Sequence, residues 1–156
     1  MSAFREFRNL ELSAVAHIRT QIDANFNNIN VVKSYKDAEQ AELPVVCVRL
    51  STINPIPKEI GNTTRRNQFG LIIDIFAKSD GQRLDLASLL TDELNDGFVY
   101  NEYTKESTVE TPTSAPAGRV RLIDYTQNSK LDFGEDVHMH DRFRHVISVV
   151  LERSGV

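Results

Sequence analysis

The stretch Asn67 to Ala77, NQFGLIIDIFA, leaves a chain little choice of structure. Phe69, Leu71, Ile73 and Ile75 fall on one side of an extended backbone, and Gly70, Ile72, Asp74 and Phe76 on the other. Apolar residues on both sides predict a central strand, covered at least partly on both faces, with Asp74 the exception on its face. The chain then passes directly into a helix signal. Ser79-Asp80-Gly81-Gln82 has the Ser-x-x-Gln form of a capping box, in which each side chain satisfies a free backbone donor. Leu84, Ala87, Leu90 and Leu94 follow at helical spacing, flanked by Leu86 and Leu89. Gly97 is placed to end that helix in the left-handed conformation.

The other segments arrange themselves around this strand–helix unit. Leu12, Val15, Ile18, Ile22 and Phe26 recur at spacings of three and four, predicting an N-terminal amphipathic helix that ends at the Asn25, Asn27, Asn28 cluster. Asn30 to Tyr35 has brief strand character, and the polar Lys36 to Glu42 suits a turn. Pro44 opens the β-branched run Val45 to Leu50, a position where proline costs no ladder donor. Ser51 to Arg66 carries Asn54, Pro55, Pro57, Gly61 and Asn62, predicting a long loop or irregular hairpin that projects from the sheet. Phe98 to Tyr103 suits a short edge strand, and Lys105 to Gly118, rich in Ser, Thr and Pro, a second projecting loop. Arg119 to Thr126 and Arg142 to Arg153 read as the last strands, the latter with Phe143, His145, Ile147, Val149 and Leu151 on one face. There is no internal repeat and no linker, so residues 1–156 are expected to form one domain. The expected class is α+β: a mostly antiparallel sheet of about five strands with two helices on one face.

Composition narrows the function classes. With 18 basic against 22 acidic residues, the net charge of −4 disfavours a broad phosphate-binding surface. No run approaches the ~20 apolar residues of a membrane span, and MSAFREFRNLEL lacks the continuous apolar segment of a secretory signal. Cys47 stands alone, so no intrachain disulfide forms, which fits a reducing compartment. The chain has no GxGxxG, no GxxxxGK[ST] and no GxSxG, which removes the usual phosphate-loop and serine-hydrolase signatures.

Few local clusters could carry chemistry. His138-Met139-His140-Asp141 is the one metal-like group: in a strand, His138 and His140 would point to one side, with Asp141 adjacent and His145 a possible third imidazole. The plainer expectation is a polar loop feeding the last strand, with no metal or other cofactor, because a site needs three or four converging ligands. Cys47 lies in an apolar run with no neighbouring base, which favours packing over nucleophilic work. Asp92, Glu93 and Asp96 suit a solvated helix face better than paired acid/base catalysis. Arg65 and Arg66, after the Pro-rich segment, could make forked bonds to a neighbouring subunit's carboxylates or to phosphates, or could simply solubilise the surface.

The order of these elements resembles a known family. An amphipathic helix, a short strand, PVVCVRL (Pro44 to Leu50), a turn-rich excursion, NQFGLIIDIFAKS (Asn67 to Ser79), the Leu-rich helix and the closing RFRHVISVVLER together resemble the tail terminator proteins of long-tailed bacteriophages, also called tail completion or neck proteins. The resemblance covers about residues 10–153 in pattern and order, and involves no catalytic motif. It implies a non-enzymatic virion protein, assembled in the host cytoplasm, that forms a homo-oligomeric ring, usually a hexamer. Such a ring caps the tail-tube protein, ends tail elongation, docks the head connector protein and passes DNA without gripping it, with no membrane involved. The loop at 105–118 and the stretch at 127–141 are longer than a minimal member needs. Rival expectations are a head-completion adaptor or stopper ring at the portal, a small metal-dependent enzyme using the His138/His140 region, and a generic protein-binding domain.

Overall fold

The computed structural model describes residues 5–57, 60–61, 65–104, 114–133 and 141–154. In chain order the elements are α1 (Glu6–Asn25), β1 (Asn30–Val32), α2 (Tyr35–Gln40), β2 (Val45–Pro57), β3 (Arg65–Phe76), α3 (Asp80–Asn95), β4 (Phe98–Tyr103), β5 (Ser114–Leu131) and β6 (Arg144–Ser154). The strands build one sheet in the order β1-β2-β3-β6-β5-β4. Only the β1–β2 pair is parallel; the other four ladders are antiparallel. The fold is therefore α+β with a mostly antiparallel sheet, of six strands rather than five.

β3 is central, between β2 and β6. Its Phe69, Leu71, Ile73 and Ile75 are fully buried, in one cluster with Leu10, Ile18 and Ile22 of α1 and Leu86, Leu90 and Leu94 of α3. Burying each such side chain is worth about 1.5–3 kcal/mol, so this layer dominates the stability. The opposite face of β3 puts Phe76 in a second, smaller cluster with Val45, Cys47 and Ala38 of α2. Two helices thus cover one face, as expected, while a third covers a corner of the other.

The helix at Tyr35–Gln40 replaces the expected turn. Its signal is short: the Ser34 hydroxyl accepts from the Asp37 N–H at 3.2 Å, and a single residue, Ala38, is buried. In α3 the buried stripe is Arg83, Leu86, Ala87, Leu90 and Leu94, and Leu84 is exposed. Ala87, Leu90 and Leu94 are buried as expected; Arg83 takes the place of Leu84, its long stem buried while its head reaches the Arg144 carbonyl. Gly97 ends the helix as expected, at φ +70°; a Cβ there would collide with the Val120 carbonyl of β5.

β5 differs most from expectation. It runs through 114–118, part of the segment expected as a loop, and on through the polar residues to Leu131; residues 105–113 lie outside the described residues. Register shifts between Leu122 and Asp124, and between Tyr125 and Gln127, break its alternation. Val120 and Leu122 face the core, and the first bulge turns Tyr125 inward as well, where its hydroxyl donates to the Thr91 carbonyl at 2.9 Å. Strict alternation from Arg119 would have placed Tyr125 on the outside.

α1 touches β4 as well as β1 and β2, so the curled sheet brings strands from its two edges against one helix. This accounts for two buried polar residues, Asn9 and Ser13, which the apolar pattern of α1 does not announce. The Asn101 N–H donates to Ser13 Oγ at 2.9 Å and the Tyr103 N–H to Asn9 Oδ1 at 3.2 Å. The helix thereby satisfies the outer edge of β4, which an open strand would leave free for pairing.

Candidate functional site

Within Ser51 to Arg66 the described strand residues pair as an antiparallel ladder, with an irregularity between Leu50 and Thr52 at its base. β2 and β3 pair from Val45↔Phe76 to Pro57↔Arg65, whereas β3 meets β6 only from Gln68 onward and β1 meets β2 only at Val45–Cys47. The last pairs, Pro55↔Asn67, Ile56↔Arg66 and Pro57↔Arg65, therefore extend beyond the sheet as an arm. Gly70 permits the bulge at its base: Ser51 Oγ donates to the Gly70 carbonyl at 3.0 Å, and Thr52 Oγ1 occupies the space a Cβ would need. Ile60, in the turn, is fully exposed, and Ile53 is at the surface.

Of the two arginines singled out, Arg65 lies in the arm's last pair, opposite Pro57. Arg66 makes an internal contact, Nη1 to Glu152 Oε1 at 3.3 Å, and Arg121 approaches the other Glu152 oxygen at 3.8 Å. Glu152 is 7% exposed. Arg66 thus helps to neutralise a buried carboxylate, a structural role in addition to any role at a surface.

His138 and His140 lie outside the described residues. Asp141 is engaged with Arg144, whose Nη1 donates to Oδ1 at 3.1 Å. His145, on β6, is buried, with Nε2 2.6 Å from Asn128 Oδ1. Among the described residues no group of three or more His, Cys, Asp or Glu could hold a metal ion. Cys47 is buried, and burial, reinforced by Asp74, pushes its thiol up to about 11, so little thiolate exists near neutrality. Asp92 and Asp96 are exposed at the end of α3, and Glu93 faces His17 at 3.8 Å.

The polar centre that sequence reasoning missed is Asp74, 1% exposed on β3. Its Oδ1 accepts from Arg144 Nη2 of β6 at 3.0 Å, and Arg49 Nη2 of β2 lies 3.6 Å from Oδ2. Arg144 Nη2 also donates to the Tyr35 hydroxyl at 3.0 Å, and the Arg49 guanidinium stacks 4.4 Å over the Tyr35 ring. Burial opposes the Arg144 charge, but Tyr35 and Asp74 more than offset it and raise its pKa. The cluster ties α2 to three strands. Its one sequence signal was an aspartate on an otherwise apolar strand face; the partners come from distant segments.

Two histidines, His145 buried and His17 partly buried, contribute to the pH response. Burial, with the cations Arg83 and Lys130, holds His145 below its ordinary 6.5; burial also lowers His17, against the opposing pull of Glu93. Both are held neutral in the fold, so the native state binds fewer protons than the unfolded chain. Their contribution is present above pH 6.5 and is lost as pH falls through the lowered native values. Thermal melts between pH 7.5 and 5 should show a falling midpoint, and the His17→Gln, His145→Gln double variant a shallower slope; equal slopes would show that other groups control acid stability.

No helix among the described residues is long and apolar enough to cross a membrane. No protein-family model matches the chain, and no curated protein matches it.

Proposed function

We propose that this chain is a non-enzymatic structural subunit of a phage neck: a tail terminator that assembles with copies of itself into a ring on the tail-tube protein, ends tail elongation, and offers the head connector a docking surface around a channel for DNA. The observation that carries this reading is the projecting β2–β3 arm. The polar clusters around Asp74 and Glu152 hold the fold together, whereas the turn of the arm presents Ile60, the most exposed large apolar side chain among the described residues, to solvent.

A ring needs a heterologous contact, one patch of a subunit against a different patch of the next. An exposed sheet edge is one way to make that contact. The edges are largely occupied: Asn9 and Ser13 cap β4, Glu11 Oε2 accepts the Leu50 N–H of β2 at 3.0 Å, and Arg19 donates to the Val31 carbonyl of β1 at 3.0 Å. Pro55 and Pro57 remove backbone donors from the arm. Side chains of the arm are thus better placed than strand addition to join subunits. The net charge of −4 suits a channel wall that must let DNA slide.

Native mass spectrometry of the purified protein, alone and with its cognate tail-tube protein, tests the reading. A closed ring of about six copies, alone or only with the tube, is the expected result. A ring of about twelve copies would favour the portal adaptor instead. A monomer indifferent to the tube and carrying bound metal would favour an enzyme built on the His138 and His140 stretch.

A further inference from the structure

At the end of the sheet opposite the arm, the turns entering β2 and β6 and the one leaving β3 enclose a groove of about 560 Å³. Its apolar floor is Ala41, Leu43, Ala77 and Phe143. Glu39, Glu42, Lys78 and Arg142 also line the groove, and Asp23 lines the adjoining cleft. Arm and groove are the two ends of the same β2–β3 ladder: Pro57↔Arg65 closes one end and Val45↔Phe76 the other. At about 3.3 Å per residue they lie about 40 Å apart, too far for one chain to fill its own groove with its own arm.

From this placement we infer that the groove receives the arm of a second copy of this chain, with Ile60 of one subunit seated over Leu43 and Phe143 of the next. The inference deepens the ring reading and rests on its self-assembly. Three features support the second copy as the occupant. The arm exposes Ile60 completely, an apolar side chain that none of the described residues covers, and the groove has apolar lining residues to receive it. Charge agrees, since Ile56 to Arg66 carries Lys58 and Arg65 against Glu59, leaving aside Arg66, which is paired with Glu152, while the groove and adjoining cleft have three carboxylates against two cations. Polarity agrees as well. A donor at one end of a subunit and an acceptor at the other make a head-to-tail contact, the kind that builds a ring when the rotation between copies closes.

Cross-linking tests the contact. The Ile60→Cys, Gln40→Cys variant places one thiol on the arm and one at the groove, and the buried Cys47 thiol is too little ionised to compete. Because the two new thiols are far apart in one chain, any disulfide between them joins two copies. Oxidation, with and without the tail-tube protein, should give a ladder of covalent oligomers ending at the ring, while each single variant stops at a dimer. In parallel, Ile60→Asp should weaken association about tenfold or more, the effect of losing one buried isoleucine, with an unchanged melting temperature because that side chain supports nothing in its own subunit. Rings that survive Ile60→Asp and give no ladder would overturn the arm-in-groove contact and leave the ring reading standing. A chain that stays monomeric and uncross-linked with and without the tube would overturn both.

Discussion

Leu90→Asp is expected to abolish the folded state. Leu90 is fully buried on α3, in the cluster that joins that helix to β3 and α1. An aspartate there would lie among buried apolar side chains. Burying an unpaired carboxylate costs several kcal/mol even after the group takes up a proton, and the leucine's own 2–5 kcal/mol of packing is lost as well. The sum matches or exceeds the 5–15 kcal/mol that a domain of this size has in total. Circular dichroism should show no cooperative melt for Leu90→Asp. Leu90→Ala should melt cooperatively at a lower temperature, and Leu84→Asp should melt close to the parent, because Leu84 is exposed on the same helix. A normal melt for Leu90→Asp would mean that the buried stripe of α3 lies elsewhere.

Asp74→Ala carries the second largest effect, for a different reason. The carboxylate is the anionic centre between Arg144 and Arg49, at 3.0 and 3.6 Å, and only 2% of its side chain is exposed. Removing one partner of a buried pair leaves the other charge uncompensated, which typically costs about 3–5 kcal/mol. Arg144 keeps its bonds to Asp141 and Tyr35, so the expected loss is at the lower end, about 3 kcal/mol. Asp74→Asn, which keeps an acceptor of the same shape, should lose less. A denaturant series on Asp74→Asn, Arg144→Gln and the double variant would measure the coupling, and a coupling near zero would show that the two groups do not act as a pair. The assembly variants of the arm act on a different quantity, since Ile60 makes no contribution to the core.

The long, strongly patterned elements were legible from residue order. Period-two burial in β3 and β6 follows directly from Phe69 to Ile75 and from His145 to Leu151, because a side chain on a strand has only two directions in which to point. The Ser79 cap and the Gly97 terminator stood where the capping rules put them: Ser79 Oγ accepts from the Gln82 N–H at 3.2 Å, and the Gln82 side chain turns back to accept from the Lys78 N–H at 2.8 Å. These are local signals, decided within a few residues.

What residue order left open was decided by contacts between distant segments. The polar half of β5 is a strand because β6 lies beside it and supplies the ladder, and its bulges set which side chains turn inward; no local pattern records either fact. Asn9 and Ser13 look like ordinary helix polar residues until the curl of the sheet brings β4 against α1 and leaves N–H groups that they alone can satisfy. Asp74 looks like a flaw in an apolar strand until β2, α2 and β6 converge on it. By itself, then, the sequence determined the class of fold, the central strand and its helix, and the segment that leaves the sheet. Tertiary structure alone decided how the strands are ordered, which charges are buried as partners, and that the arm and the groove lie at opposite ends of one ladder. The physical reason is range: periodicity and capping act over a few residues, whereas closure of a curled sheet depends on pairings between strands far apart in the chain.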